Sequence, residues 1–491
     1  MANILLPIAI TLVFLAIVFS YYPFREKLQF DTDEGLNLMR SMLVTLGHPL
    51  YVEVSSDQPP LLTHLLAFLF RFTGFEVNSA RFLILLFSTL LVWSGAQFLQ
   101  LTSGKLAAIL FLPVALIVPR YLELSISVMI GVPSIALAVV SMLFVTLWHQ
   151  KRNNLWLVFS GFALALSVLI KLFTGFLAPI FMIGITASVY FENRKDGFSW
   201  KTLRPAFVWA VSFTLATLLL GLLLLGPQNV MQIIYPHLAA SSAGRFQMDS
   251  NTINTYLQPA LPLALLGLLG ALISIYKHNW LSLYPLIWSI IAYVLFSFHS
   301  PVFYHHQLMI TIPLAILASA GVGEGIASLL HVRHFPDLIR PMALMGLVAL
   351  FGFAFMVNRY LPVLDDELMN RPRISGFSLK ATSGKLRILD SMNEYAGQTN
   401  WIVTDVPIYA FRVHKPVPPV LATFSQKRLV TGSLEEDDIL TAIREYHPEQ
   451  VLMARFEIPA LEIYLEENYT LALSAEFYRL FIRNDLVKVP Q

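Results

Sequence analysis

The sequence predicts a polytopic α-helical membrane protein that ends in a small α/β domain. Three observations carry this. The 491-residue chain is 56% hydrophobic and only 13% charged, whereas soluble domains carry about a quarter charged residues. Apolar runs of the length that crosses a bilayer, about 20 residues, recur up to about position 360. Beyond about Arg371 charges become frequent and the apolar runs shorten. The net charge of +2 gives no bulk field for nucleic acid or an acidic partner. The chain has no cysteine, which excludes disulfides, thiolate nucleophiles and Cys-ligated metal.

The N-terminal stretch "MANILLPIAITLVFLAIVFSYY" has no positive n-region and no small-residue cleavage site. It therefore reads as a retained first span rather than a cleaved signal. Spans are expected near 4–21, 80–100, 105–119, 131–149, 155–171, 174–190, 206–226, 259–276, 280–298, 307–322 and 341–358, about eleven in all, within a membrane domain covering 1–360. Lys and Arg crowd one set of short loops, at Lys105, Lys151 and Arg152, Arg194 to Arg204, Lys277, Arg333 and Arg340. The positive-inside rule makes that set cytoplasmic. The N-terminus is then inside, and everything after the eleventh span is outside.

The outer face is elaborate. Its first loop, 22–79, holds "EGLNLMRSMLVTLG", an amphipathic helix closed by Gly47 with Pro49 beyond. "PPLLTHLLAFLFRF" reads as a second helix, opened by prolines. Both are too short and interrupted to span and are expected to lie along the membrane interface. The outer region 371–491 alternates helix and strand: "KLRILDSMNEYAG", "WIVTD", "LEEDDILTAIREY", "QVLMARF", "IPALEIYLEENY", then a closing hairpin in "LALSAEFYRLFIR". That alternation predicts an α/β domain. It has no Gly-rich phosphate loop, so no nucleotide is assigned to it. Asp405, at the end of "WIVTD", holds a position that often binds ligands in α/β folds; turn chemistry beside Pro407 is the favoured reading and ligand binding the alternative.

The stretch "FDTDEGLNLMR" places Asp31, Asp33 and Glu34 at the mouth of the first loop. Asp31 and Glu34 fit a capping box, and acids suit a helix N-terminus. That account leaves Asp33 without a capping duty. Along the loop follow Gly47-His48-Pro49, Gln58-Pro59-Pro60-Leu61 and Arg81. Further on come a Lys at the end of the fifth span in "LSVLIKLFTG", a His-His pair before a late span, and a soluble tail. This order resembles the glycosyltransferase C (GT-C) superfamily, closest to the protein O-mannosyltransferase and lipid A aminoarabinose transferase branch. The resemblance implies a GT-C-like fold and transfer of a sugar from a polyprenyl-phosphate carrier to a glycan, lipid or protein acceptor at the outer face. It also implies a bacterial cytoplasmic membrane location. It carries a catalytic base onto Asp33, with Glu34 as its partner.

The residues suit that chemistry. A phosphate leaving group needs mainly a nearby cation, while a hydroxyl acceptor needs a base within hydrogen-bond reach. A carboxylate shielded by apolar helices is a stronger base than one in water. Lys171, near the outer end of a span, is a candidate for the carrier phosphate, although a snorkelling Lys looks the same in sequence. Arg245, in an outer loop, has the planar fork that grips phosphate. His305 and His306 are candidates for phosphate or sugar contact.

Two departures from the family pattern stand out. Some relatives carry Lys before the paired prolines, where this chain has Asp57-Gln58. Relatives often carry a second acid near the start of the fourth span, where this chain has Gly131-Val132-Pro133; Glu123 is the nearest substitute. The carboxylates could hold a divalent metal together with water, but the sequence shows no dedicated metal ligands. The rival reading is a transporter or flippase of a cell-envelope precursor. It would place ionisable groups at mid-bilayer in repeated, broken helices, whereas here the acids stand in a loop.

Overall fold

A computed structural model describes residues 2–21, 25, 27–193, 198–235, 252–332, 341–369 and 384–487. All eleven stretches expected to span are helical. They begin with α1 (Ala2–Tyr21) and end with Pro341–Met369. Among the described residues, eight helical segments are long and apolar enough to cross a membrane. Four shorter ones, including Lys105–Leu116 and Leu155–Ile170, are also apolar. Helices Gly131–Lys151 and Leu308–Leu329 form the middle of the bundle and are buried along most of their length. Trp200–Leu224 lies at the edge and exposes Leu215, Leu218, Leu219, Leu222 and Leu223. An apolar surface that large needs lipid to cover it.

Where apolar contact gives little drive between helices, small residues allow close backbone approach. Gly270 and Gly321 do this for Leu261–Tyr276 against Leu308–Leu329. A Cβ at Gly270 would fall 2.0 Å from the carbonyl oxygen of Leu317.

The first loop forms α2 (Thr32–Thr45) and α3 (Leu61–Thr73), followed by the long α4 (Val77–Thr102). Gly47 ends the α2 turn with φ of 103°, a conformation that glycine adopts without steric cost. The expectation that both helices lie along an interface is corrected for α2. Its residues Glu34 to Leu43 are all buried. The short helix Ile408–Arg412 of the C-terminal region lies on it, with Ile408 seated over Gly35. By contrast, α3 keeps Phe68 and Phe72 outward.

The C-terminal region forms one sheet. Strands β1 (Ile402–Thr404) and β2 (Gln450–Met453) run parallel, and β3 (Tyr469–Ala475) and β4 (Tyr478–Arg483) close it in the order β1-β2-β4-β3. Helices Gly384–Tyr395, Glu436–Tyr446 and Pro459–Asn468 fall where their periodicity places them. The short helices Ile408–Arg412 and Gln426–Val430 were not expected from the sequence. One apolar core joins Leu38, Met39 and Phe70 of the first loop to Ile408, Phe411 and Leu452 of the sheet region. Sheet and first loop thus pack as one body, which brings the carboxyl ends of β1 and β2 toward the bundle.

Candidate active site

Helix α2 sets the site. Asp33, Leu36, Asn37 and Arg40 recur at the spacing of one helical face, and all four line a cavity of about 230 Å³. The opposite face, with Leu38, Met39, Met42 and Leu43, fills the core shared with the sheet region.

The three acids of the opening stretch have separate duties. Asp31 is the N-cap: its Oδ1 accepts from the amide of Asp33 at 2.8 Å, and its Oδ2 accepts from the Tyr304 hydroxyl. Glu34 is fully buried and holds a forked ion pair with the equally buried Arg81, at 2.8 Å on both arms. It reaches back to the amide of Phe30 at 2.9 Å, one residue beyond the position a capping box uses. The carboxylate of Asp33, by contrast, makes no hydrogen bond or ion pair among the described residues, and it faces the cavity. Burial pushes its carboxyl up to about 7. Asp31 and Asp57 add to the rise, against the pull of Arg40 and Arg455.

One wall of the cavity is the loop before α3. Asp57 pairs with Arg40 at 3.9 Å and with Lys427 at 2.8 Å, and Gln58 lies beside it, 3.3 Å from its Oδ1. Arg40 is buried and also donates to Ser56 and Asn37. Burial lowers its pKa, against the pull of Asp57 and Asp33.

The floor lies toward the bundle. Lys171 follows the last turn of Leu155–Ile170 in an extended conformation, φ −149° and ψ 114°, so its side chain leaves the helix line and enters the cavity. It is 4% exposed and has no carboxylate partner within ion-pair distance among the described residues. Beside it stand Phe173, His299, Tyr304, His305 and His306. The ring of His306 stacks on Phe296, and its Nδ1 accepts from the amide of Phe303 at 3.1 Å. The Nδ1 of His305 is buried with no hydrogen-bond partner among the described residues.

The C-terminal region supplies the roof through Thr423, Ser425, Gln426, Lys427 and Arg455. Thr423 donates to the carbonyl of Ser55 at 2.7 Å, which together with the Lys427–Asp57 pair fastens roof to wall.

Of the residues singled out in the sequence, the cavity gathers Asp33, Asp57, Gln58, Lys171, His305 and His306. Glu34 and Glu123 lie outside its lining. Glu34 locks α2 to α4. Glu123 is buried against Arg120 at 3.1 Å and Lys27 at 3.7 Å. Arg245 lies outside the described residues. Among those residues, no group of three or more His, Asp or Glu side chains is placed to hold a metal ion. Sequence reading missed Arg40 and Asn37, whose helical spacing from Asp33 on the polar face of an amphipathic helix was the available signal. It also missed Lys427 and Arg455, which had none, because only tertiary packing brings them to α2.

Fold and cavity together define a polytopic membrane protein with a charged chamber between its helix bundle and a small sheet domain. Residues 57–227 match the dolichyl-phosphate-mannose-protein mannosyltransferase family. The fold is similar over 98% of both chains to that of ArnT from Cupriavidus metallidurans bound to undecaprenyl phosphate, with a TM-score of 0.62 at 15% identity. It is similar over 92% of this chain and 69% of the other to the oligosaccharyltransferase AglB from Archaeoglobus fulgidus in complex with an inhibitory peptide and a dolichol-phosphate. There the TM-score is 0.55 at 13% identity. No curated protein matches the chain by sequence. The chain has a GT-C fold similar to that of ArnT.

Proposed function

We propose that the protein is a membrane glycosyltransferase that moves a sugar from a polyprenyl-phosphate carrier to a hydroxyl acceptor, with Asp33 as general base. The observation that carries this is the state of Asp33: a carboxylate facing the chamber, with no bonded partner among the described residues, whose pKa of about 7 matches the working range of a base. The acceptor hydroxyl gives its proton to Asp33 as its oxygen bonds to the anomeric carbon. The bond from that carbon to the phosphate oxygen breaks, and its electron pair leaves on the phosphate. We assign the contact with the carrier phosphate to Lys171, a buried cation that lines the chamber. The other carboxylates of the chamber are occupied, Asp31 by an amide and Tyr304, and Asp57 by Arg40 and Lys427. A double displacement needs a second, nucleophilic carboxylate at the sugar, so we read the reaction as a single inverting displacement.

The undecaprenyl phosphate bound to ArnT and the dolichol-phosphate bound to AglB support a lipid-phosphate carrier here. The excess of Lys and Arg in the opposite loops supports a reading with the sheet domain on the outer face of a bacterial cytoplasmic membrane, where such carriers present their sugars. The test is incubation of purified protein with radiolabelled polyprenyl-phosphate sugars and a membrane extract, followed by isolation of the labelled product. Asp33→Asn is expected to express normally and to abolish transfer; wild-type rates in that variant refute the base assignment.

A further inference from the structure

The chamber contains four cations, Arg40, Lys171, Lys427 and Arg455. Two are tied to Asp57. The other two, Lys171 in the floor and Arg455 in the roof, have no carboxylate within ion-pair distance among the described residues. Both line the same cavity as Asp33, the residue that the reading above makes the base.

Arg455 is held in place by an unusual device. Its chain leaves the carboxyl end of β2, beside the carboxyl end of the parallel β1, the edge at which open α/β sheets bind ligands. Asp405, just past β1, is fully buried. Its carboxylate accepts from three successive amides, Ala454 at 3.0 Å, Arg455 at 2.6 Å and Phe456 at 2.9 Å. The Arg455 guanidinium lies over the Phe456 ring at 4.9 Å and donates to the carbonyl of Asp405 at 3.3 Å. A buried carboxylate spent wholly on backbone amides fixes the turn. What the turn carries into the chamber is Arg455.

We infer that Arg455 is a substrate-contacting residue which, together with Lys171, grips the carrier phosphate within the chamber, and that Asp405 is its positioning residue. The inference rests on the transferase reading above. The charge change in the reaction fits two cations. A polyprenyl-phosphate sugar is a diester with one negative charge. As the bond from the anomeric carbon to oxygen breaks, the electron pair passes to the phosphate, which becomes a monoester carrying a second charge. One cation answers the charge already present and the other answers the charge that develops. An arginine fork adds two directed donors that a lysine lacks. On this view the sheet domain is part of the active site, and it supplies a cation that the Asp57-Gln58 segment does not.

The test is equilibrium binding of radiolabelled undecaprenyl phosphate to the full-length protein in lipid nanodiscs. Arg455→Gln is expected to weaken binding about tenfold or more, as loss of a charge-assisted hydrogen bond implies. Arg455→Lys should keep part of the affinity, and Asp405→Asn should weaken binding by a smaller factor. The double variant should bind no more weakly than Arg455→Gln alone, because Asp405 acts only through Arg455; additive losses would show that Asp405 is merely structural and overturn its positioning role. Undiminished binding by a folded Arg455→Gln protein, with binding lost in Lys171→Gln, overturns the inference and leaves the transferase reading standing. Failure of the wild-type protein to bind undecaprenyl phosphate overturns that reading itself.

Discussion

If Asp33 is a base held ready in a chamber, the fold holds it at a cost, and removing its charge should stabilise the protein while destroying activity. The perturbation is Asp33→Asn, which keeps the shape and removes the titration. The carboxyl rises from 3.8 to about 7 in the fold. At about 1.4 kcal/mol per pH unit this corresponds to about 4 kcal/mol of added cost for the ionised form. Asp33 is half-buried beside a chamber that admits water, so screening reduces the measurable part to roughly 1–4 kcal/mol. The sign follows from linkage. The fold favours the protonated group, so the cost is absent below the unfolded pKa of 3.8, grows as pH rises toward about 7, and is complete above it. The assay is thermal unfolding of detergent-solubilised protein at pH 8 and at pH 4. Asp33→Asn should unfold at a higher temperature than wild type at pH 8, and the gap should close by pH 4. In parallel, wild-type transfer should rise with pH through about 7 as the base deprotonates. An Asn variant no more stable at pH 8 than at pH 4, relative to wild type, refutes the view that the fold holds a strained carboxylate here.

Two further substitutions probe the scaffold around it. Glu34→Ala strands the fully buried Arg81, and breaking such a pair costs about 3–5 kcal/mol. The expected result is poor yield and a low unfolding temperature rather than a stable, inactive protein; a normally folded, inactive Glu34→Ala would return Glu34 to the chemistry. Gly35→Ala would set a Cβ 2.7 Å from the backbone nitrogen of Ile408, which cannot swing aside. The overpacking should cost about 1–3 kcal/mol, lift the Ile408–Arg412 helix from α2, and increase protease cleavage of the sheet domain. Unchanged cleavage and transfer would show that the contact has no role in closing the chamber.

The opening acids show how far sequence reading reached and where it stopped. Helix α2 was legible from its caps, its Gly47 stop and its apolar spacing. The capping duty of Asp31 followed from its position before the first turn. Glu34 read as the partner of Asp33 because the two are neighbours in sequence. In a helix, adjacent residues point about 100° apart, so Asp33 faces the chamber while Glu34 turns to Arg81, 47 positions later. Glu123 also read as a spare acid; its partner Arg120 lies only three positions away, but Lys27 reaches it from a separate segment.

By itself the sequence determined the local and periodic properties of this protein: its apolar helices, the strands and helices of its sheet region, and the caps that start and stop α2. These depend on residues a few positions apart, which composition and spacing record directly. The tertiary structure alone decided that α2 is buried rather than laid on a surface, that its polar face lines a chamber, and that Lys427 and Arg455, from the far end of the chain, complete that chamber. Those outcomes depend on the packing of distant surfaces, such as Ile408 on Gly35, and no local pattern encodes which surfaces will meet.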